Sequence, residues 1–212
     1  MGFPTKKEMY DALVERHGKG LQAKFSNGTV AVCGLGGLGS NIALHLVRAG
    51  VGHIHLMDFD KVNISNLNRQ QYFPDQLGRY KADALTETLK RAAPYCDITS
   101  QVVKLDEDNI DKLLAPYDII CEAFDKADQK AMLVNAVLEK FPEKYLVSGS
   151  GMAGLGSSNE IITRCIGKRF YLCGDGKSDV SDGLGLVSAR VAICAAHQAN
   201  MILRILAEEF EP

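Results

Sequence analysis

Gly34-x-Gly36-Gly37-x-Gly39 follows a short apolar run and opens a helical pattern, the context in which a glycine turn binds phosphate. Such a turn brings backbone N–H groups close to a phosphate, and the helix N-terminus behind it favours negative charge. Asp58 ends the next apolar run 19 residues after Gly39, where a carboxylate reaches a ribose hydroxyl. These residues call for a nucleotide, and alone they fit NAD as readily as ATP. The residues that follow add a basic set that a dehydrogenase does not need. Asn66 and Arg69 are three apart and share one side of a short turn, and Lys81 starts a helical pattern. An Arg fork and a Lys point charge suit a triphosphate chain. Asp125 follows an apolar run and is placed to hold Mg²⁺ against phosphates. It also fits an N-cap, and Asp60 reads equally as a ligand or a loop cap.

These residues need elements to position them, and the hydrophobic pattern supplies strands and helices in alternation. Strands are expected at 29–34, 53–58, 97–103, 117–122 and 145–148, with two short ones near 160–165 and 169–172. Helices are expected at about 38–49, 78–93, 106–114 and 127–140, with a long C-terminal one at about 186–209. Residues 1–25 read as an N-terminal helical extension, and no linker splits residues 1–212 into more than one domain. The order implies an α/β fold of Rossmann-like type, a mostly parallel sheet with helices on both faces.

Composition narrows the setting. Hydrophobic residues make up 46% and charged ones 24%, with a formal net charge of −2, so no basic field points to nucleic acid or to a membrane surface. No apolar run reaches the roughly 18 residues of a membrane span. The first residues carry charges where a signal peptide is apolar, and six cysteines without a Cys-x-x-Cys pair fit a reducing cytoplasm and no zinc.

GLGGLGS, DFD, SNLNRQ, GRYK and the Asp of EAFDK, in this order and spacing, resemble the ubiquitin-activating-enzyme-like superfamily. Within it the chain is similar to the short form of the ThiF family. The tail SGMAGLGSSN, YLCGDG and ARVAICAAHQAN shares that likeness, which covers nearly everything from about residue 18. The resemblance implies a ThiF/MoeB-type fold and ATP–Mg²⁺-dependent adenylylation of the C-terminal glycine of a ubiquitin-like sulfur carrier ending in Gly-Gly, in thiamine thiazole biosynthesis. A homodimer is implied too. Carried over, Gly36, Gly37 and Gly39 line the phosphates, Asp58 holds the ribose, Asn66, Arg69 and Lys81 bind the phosphate chain, and Asp125 serves the metal.

The chain departs from its relatives at three points. Lys126 stands where many have Asn after the metal Asp. The zinc Cys pairs of longer relatives are missing, and so is a clear match for an arginine they supply across the dimer, for which Arg16 is the nearest candidate. Some relatives link the carrier to a loop cysteine; Cys173 is the best-placed thiol here, with Cys165 nearby. The Gly149–Gly156 stretch suits either an extended Gly-Gly tail or a plain turn. Other acceptors remain open, among them a molybdopterin carrier or a tRNA-linked carboxylate, as do an NAD(P) oxidoreductase and a non-catalytic relative.

Overall fold

A computed structural model describes residues 2–212. Two helices come first, α1 (Lys6–His17) and α2 (Lys19–Ser26), broken at Gly18, which takes a left-handed φ of 83°. Thr5 and Glu8 close a reciprocal cap that sets where α1 starts. The body then alternates: β1 (Thr29–Cys33), α3 (Gly37–Arg48), β2 (His53–Met57), α4 (Lys81–Ala92), β3 (Asp97–Gln101), α5 (Ile110–Leu114), β4 (Ile119–Glu122), α6 (Ala127–Lys140), β5 (Tyr145–Gly149), β6 (Ile162–Gly167), β7 (Phe170–Gly174) and α7 (Ser188–Leu206).

All seven strands join one sheet in the order β3-β2-β1-β4-β5-β7-β6, parallel except for the edge pair β6–β7. The doubly wound α/β expectation is borne out. Side-chain alternation gives the sheet two cores. Val30 and Val32 face a core built with α3, α4 and α7, while Ala31 and Cys33 face one built with α5 and α6. The winding reverses between β1 and β4, so a crevice opens above their carboxyl ends, where ligands bind in such sheets.

Two helices start well inside the range the pattern implies. α4 begins at Lys81 because Gly78 is left-handed, with φ 80°, and Tyr80 is extended and bridges to Lys61. The acidic helix shrinks to Ile110–Leu114 because the Asp106 carboxylate turns back to accept the N–H groups of Asp108 and Asn109.

Candidate active site

The crevice holds a cavity of about 680 Å³, and Gly36, Gly37, Asp58, Asp60, Asn66, Arg69, Lys81 and Asp125 all line it. Residues from five separate stretches of sequence therefore meet in one place. Two expected residues do not. Gly39 lies beneath the turn, where a Cβ would stand 1.8 Å from the Gly34 carbonyl oxygen. Its bareness serves the close approach of α3 to the end of β1. Cys173 is fully buried on β7 beside the Thr163 hydroxyl at 3.5 Å, and burial pushes its thiol up to about 11. That environment opposes a thiolate at Cys173; Cys165, on the edge strand, is the exposed cysteine.

The turn is built by backbone contact. Gly34 has φ 90°, and a Cβ there would sit 2.9 Å from both the Ala123 carbonyl and the Phe124 ring. Asp58 holds the turn from β2: its Oδ2 accepts the Leu35 N–H at 2.6 Å and its Oδ1 accepts the Asp60 N–H at 2.7 Å. Burial raises the Asp58 carboxyl, against the opposing pull of Lys81 and those two N–H groups. Lys81 is itself buried. Its ammonium pairs with Asp60 Oδ2 at 2.9 Å, and its backbone N–H donates to the Asp60 carbonyl. Asp60 thus anchors the lysine of the GRYK turn to the loop after β2.

Arg69 lies against the glycine turn, with Nε and Cδ within 3.5 Å of where a Gly37 Cβ would be. Its Nη1 donates to the Ser65 carbonyl and to Asn68 Oδ1, but its Nε is buried with no partner. Gln70 Oε1 is orphaned in the same way. Asn66 spends its amide oxygen on the Asn63 N–H, closing the short turn Ile64–Asn66. Asp125 is exposed in the cleft and bonds to no protein group; Lys126, not Asp125, occupies the cap position of α6.

Three residues that sequence reasoning passed over complete the assembly. Asn41 Nδ2 donates to the carbonyls of Gly37 at 2.7 Å and Arg69 at 3.0 Å, and its Oδ1 accepts from Gln71. It ties the turn to the arginine loop 28 residues on. The only hint was a polar residue on the buried face of an apolar helix. Gln70 sat in plain view beside Arg69, and Glu122 ends a strand with no exposed surface.

The fit to a triphosphate rests on these features. A donor at Arg69 Nε is buried and unsatisfied, and Lys61, Lys104 and Lys126 also line the cleft. Among the described residues, no group of three or more His, Cys, Asp or Glu could hold a metal. A cation at Asp125 would take its other ligands from phosphate and water, as Mg²⁺ commonly does. The glycines past β5 are occupied by the chain itself. A Cβ on Gly151 would meet Asp175 Oδ1 at 2.1 Å, and Arg190 donates to the carbonyls of Ala153, Gly156 and Ser157 while pairing with Asp175 at 2.6 Å.

Comparison with known proteins agrees with this architecture. The adenylyltransferase and sulfurtransferase MOCS3 of Culex quinquefasciatus is 36% identical over 133 residues, covering 62% of this chain but only 30% of that protein. The molybdopterin-synthase adenylyltransferase of Salmonella typhimurium is 28% identical over 200 residues, 90% of this chain and 78% of the relative. Among solved structures, the E. coli tRNA N6-threonylcarbamoyladenosine dehydratase TcdA in complex with ATP superposes with a TM-score of 0.86 at 21% identity, covering 96% of this chain and 95% of that one. E. coli MccB with ATP gives 0.74 at 17%, over 97% and 65%. The model of the ThiF family matches residues 10–212, and the chain belongs to that family.

Proposed function

We propose that this chain is an adenylyltransferase that uses ATP and Mg²⁺ to activate the C-terminal carboxylate of a ubiquitin-like sulfur carrier ending in Gly-Gly. The observation that carries this reading is the unsatisfied Arg69 Nε held against the glycine turn, in a cleft that also gathers Lys81 and Asp125. In the reaction, a carboxylate oxygen attacks the α-phosphorus, the bond to the β-phosphate oxygen breaks, and pyrophosphate leaves. A C-terminal carboxyl has a reference pKa of about 3.5 and arrives ionised, so no general base is needed. The task is to bring one anion onto another, which calls for placed cations and orientation. Gly36 and Gly37 let the phosphates approach the backbone, and Asp58 takes the ribose. Asn66, Arg69 and Lys81 hold the phosphate chain. Asp125 would hold Mg²⁺, which supplies charge neutralisation on the phosphate oxygens.

The test is ATP–pyrophosphate exchange that requires a Gly-Gly-ending carrier. Absence of exchange with every such carrier from the same source refutes the reading, and tight NAD binding without ATP binding would restore an oxidoreductase. ATP binding without turnover on any carrier would favour a non-catalytic role.

For the acceptor we infer a thiamine-type carrier, on the likeness of the tail motifs to the short ThiF form. A molybdopterin-type carrier is the second reading, favoured by the 28% identity to molybdopterin-synthase adenylyltransferase across 90% of the chain. Exchange rates with the two carriers side by side decide between them. A tRNA-linked carboxylate fits a net charge of −2 less well. The reading includes a cytoplasmic homodimer, checked by light scattering. No helix among the described residues is long and apolar enough to cross a membrane.

A further inference from the structure

We propose that Glu122 is a positioning residue that shapes the β4–α6 loop so that Asp125 faces the cleft. The inference rests on the reading that Asp125 serves a nucleotide-bound metal. Glu122 is the most deeply buried carboxylate among the described residues, with 0% exposure. It ends β4, three residues before Asp125. Its two oxygens do separate jobs. Oε1 accepts the N–H of Phe124 at 2.7 Å. Oε2 takes the Ser148 hydroxyl from β5 and the Lys130 ammonium from α6. From α7, Gln198 Nε2 donates to the Glu122 carbonyl at 3.1 Å.

The consequence is local and directional. Past the end of β4 the ladder can no longer satisfy every backbone N–H. The Ala123 N–H goes to the Cys33 carbonyl, and the Phe124 N–H goes to the Glu122 side chain. With both pinned, the Phe124 ring is seated beside Gly34, 2.9 Å from where a Cβ there would lie. Asp125 is the first residue the loop releases, and it emerges into the cleft. A buried ion pair such as Glu122–Lys130 is seldom more stable than apolar residues of the same volume. Its place under the loop that carries Asp125 is accounted for by geometry: it fixes an acceptor for Phe124. Groups that orient a metal ligand this way typically change metal affinity 10–100-fold when lost.

The test titrates ATP into the full chain at a series of Mg²⁺ concentrations and in EDTA, with hydrogen exchange read over residues 123–126. Glu122→Met removes the acceptor. It should raise the Mg²⁺ concentration for half-maximal enhancement of ATP binding about tenfold or more. Exchange over 123–126 should quicken, and affinity in EDTA should stay unchanged. Glu122→Gln keeps an oxygen for Phe124 and should restore the parental midpoint. Lys130→Met should lower the melting temperature but leave the midpoint in place, which a purely structural role for the network does not predict. A folded Glu122→Met with the parental midpoint overturns the proposal. Should that variant not fold, Glu122→Asp, still anionic but one methylene short, must shift the midpoint in the same direction, and a parental value refutes it. If the parent protein itself binds ATP without Mg²⁺ linkage, the metal reading of Asp125 falls, and this role of Glu122 falls with it.

Discussion

Two glycines of one turn should fail in opposite ways when a methyl group is added. At Gly39 a Cβ would stand 1.8 Å from the Gly34 carbonyl oxygen and 2.9 Å from its carbon. Both are backbone atoms of a turn fixed by Asp58 and by contact with Ala123, so α3 must withdraw from β1 by more than an ångström. Overpacking of a core costs typically about 1–3 kcal/mol, and a clash between two backbones belongs at the top of that range or above. At about 2–4 °C per kcal/mol for a chain of this size, Gly39→Ala should melt at least about 6 °C below the parent. At Gly37 the nearest atom is a methyl of Val191 at 2.9 Å, which can turn aside, followed by Arg69 Nε at 3.4 Å. That variant should lose about 1 kcal/mol of stability, or 2–4 °C. Its methyl intrudes between the arginine and the space left for phosphate. Loss of one charge-assisted contact of about 1.5–3 kcal/mol weakens ATP about 10–100-fold. Thermal melts with and without Mg-ATP, and calorimetric titration at 15 °C, separate the two. A Gly39→Ala protein melting within 3 °C of the parent would show that the clash is absorbed. A Gly37→Ala protein binding ATP at parental affinity would show that the turn is not the phosphate cradle.

Arg69→Ala should cost about 10²–10³ in exchange rate with little change in melting temperature, and Arg69→Lys should recover little because the fork is lost. Iodoacetamide at pH 8 should label Cys165 in the native protein and reach Cys173 only on unfolding; Cys173→Ser should keep exchange activity, and a carrier adduct mapped to Cys173 would overturn its assignment to the core. Arg190→Met leaves the Asp175 carboxylate, whose side chain is 1% exposed, without its cation, and should cost about 3–5 kcal/mol by denaturant titration. Burial pushes the Asp175 carboxyl up, but the N–H groups of Ser178 and Lys177 and the Arg190 pair outweigh it and hold it well below 3.8. Its stabilisation is therefore intact above pH 4 and is lost only as pH falls through the lowered value.

The elements that position the site were legible because each writes its own period. The apolar runs of β1 and β2, the helix after the glycines and α6 over 127–140 all stand where the pattern placed them. What escaped was contact between distant residues. Asn41 drew no reading from the sequence, since nothing local shows that its amide spans Gly37 and Arg69. The G-x-G-x-x-G spacing treats its glycines alike, yet the last packs against backbone while the middle ones border the cleft. Cys173 looked like the start of a polar loop, but β7 lies between β5 and β6, and that neighbourhood buries it. The glycines of 149–156 offered room for a tail by composition, while the side chains that occupy this room, Asp175 and Arg190, come from later in the chain.

The two principal cations of the cleft are prepared differently, and the difference bears on how a polyanion would be received. Lys81 already has a partner in Asp60, so a phosphate must share or displace that carboxylate, and part of its attraction is offset in advance. Arg69 has backbone and amide acceptors for Nη1 but none for Nε, and leaving a buried donor unmade costs about 1–3 kcal/mol in the unliganded protein. Asn41 clamps the carbonyl of Arg69 to that of Gly37, and Nη1 is held by the Ser65 carbonyl and Asn68, so the arginine is kept beside the turn. The fold therefore carries the cost of orienting Arg69 before any ligand arrives, which is the condition under which a fixed donor favours developing charge over resting charge. Under the proposed function, Arg69 would act on the reacting phosphate and Lys81 on the grip of the chain. Loss of Arg69 should then fall mainly on turnover, and loss of Lys81 mainly on nucleotide affinity.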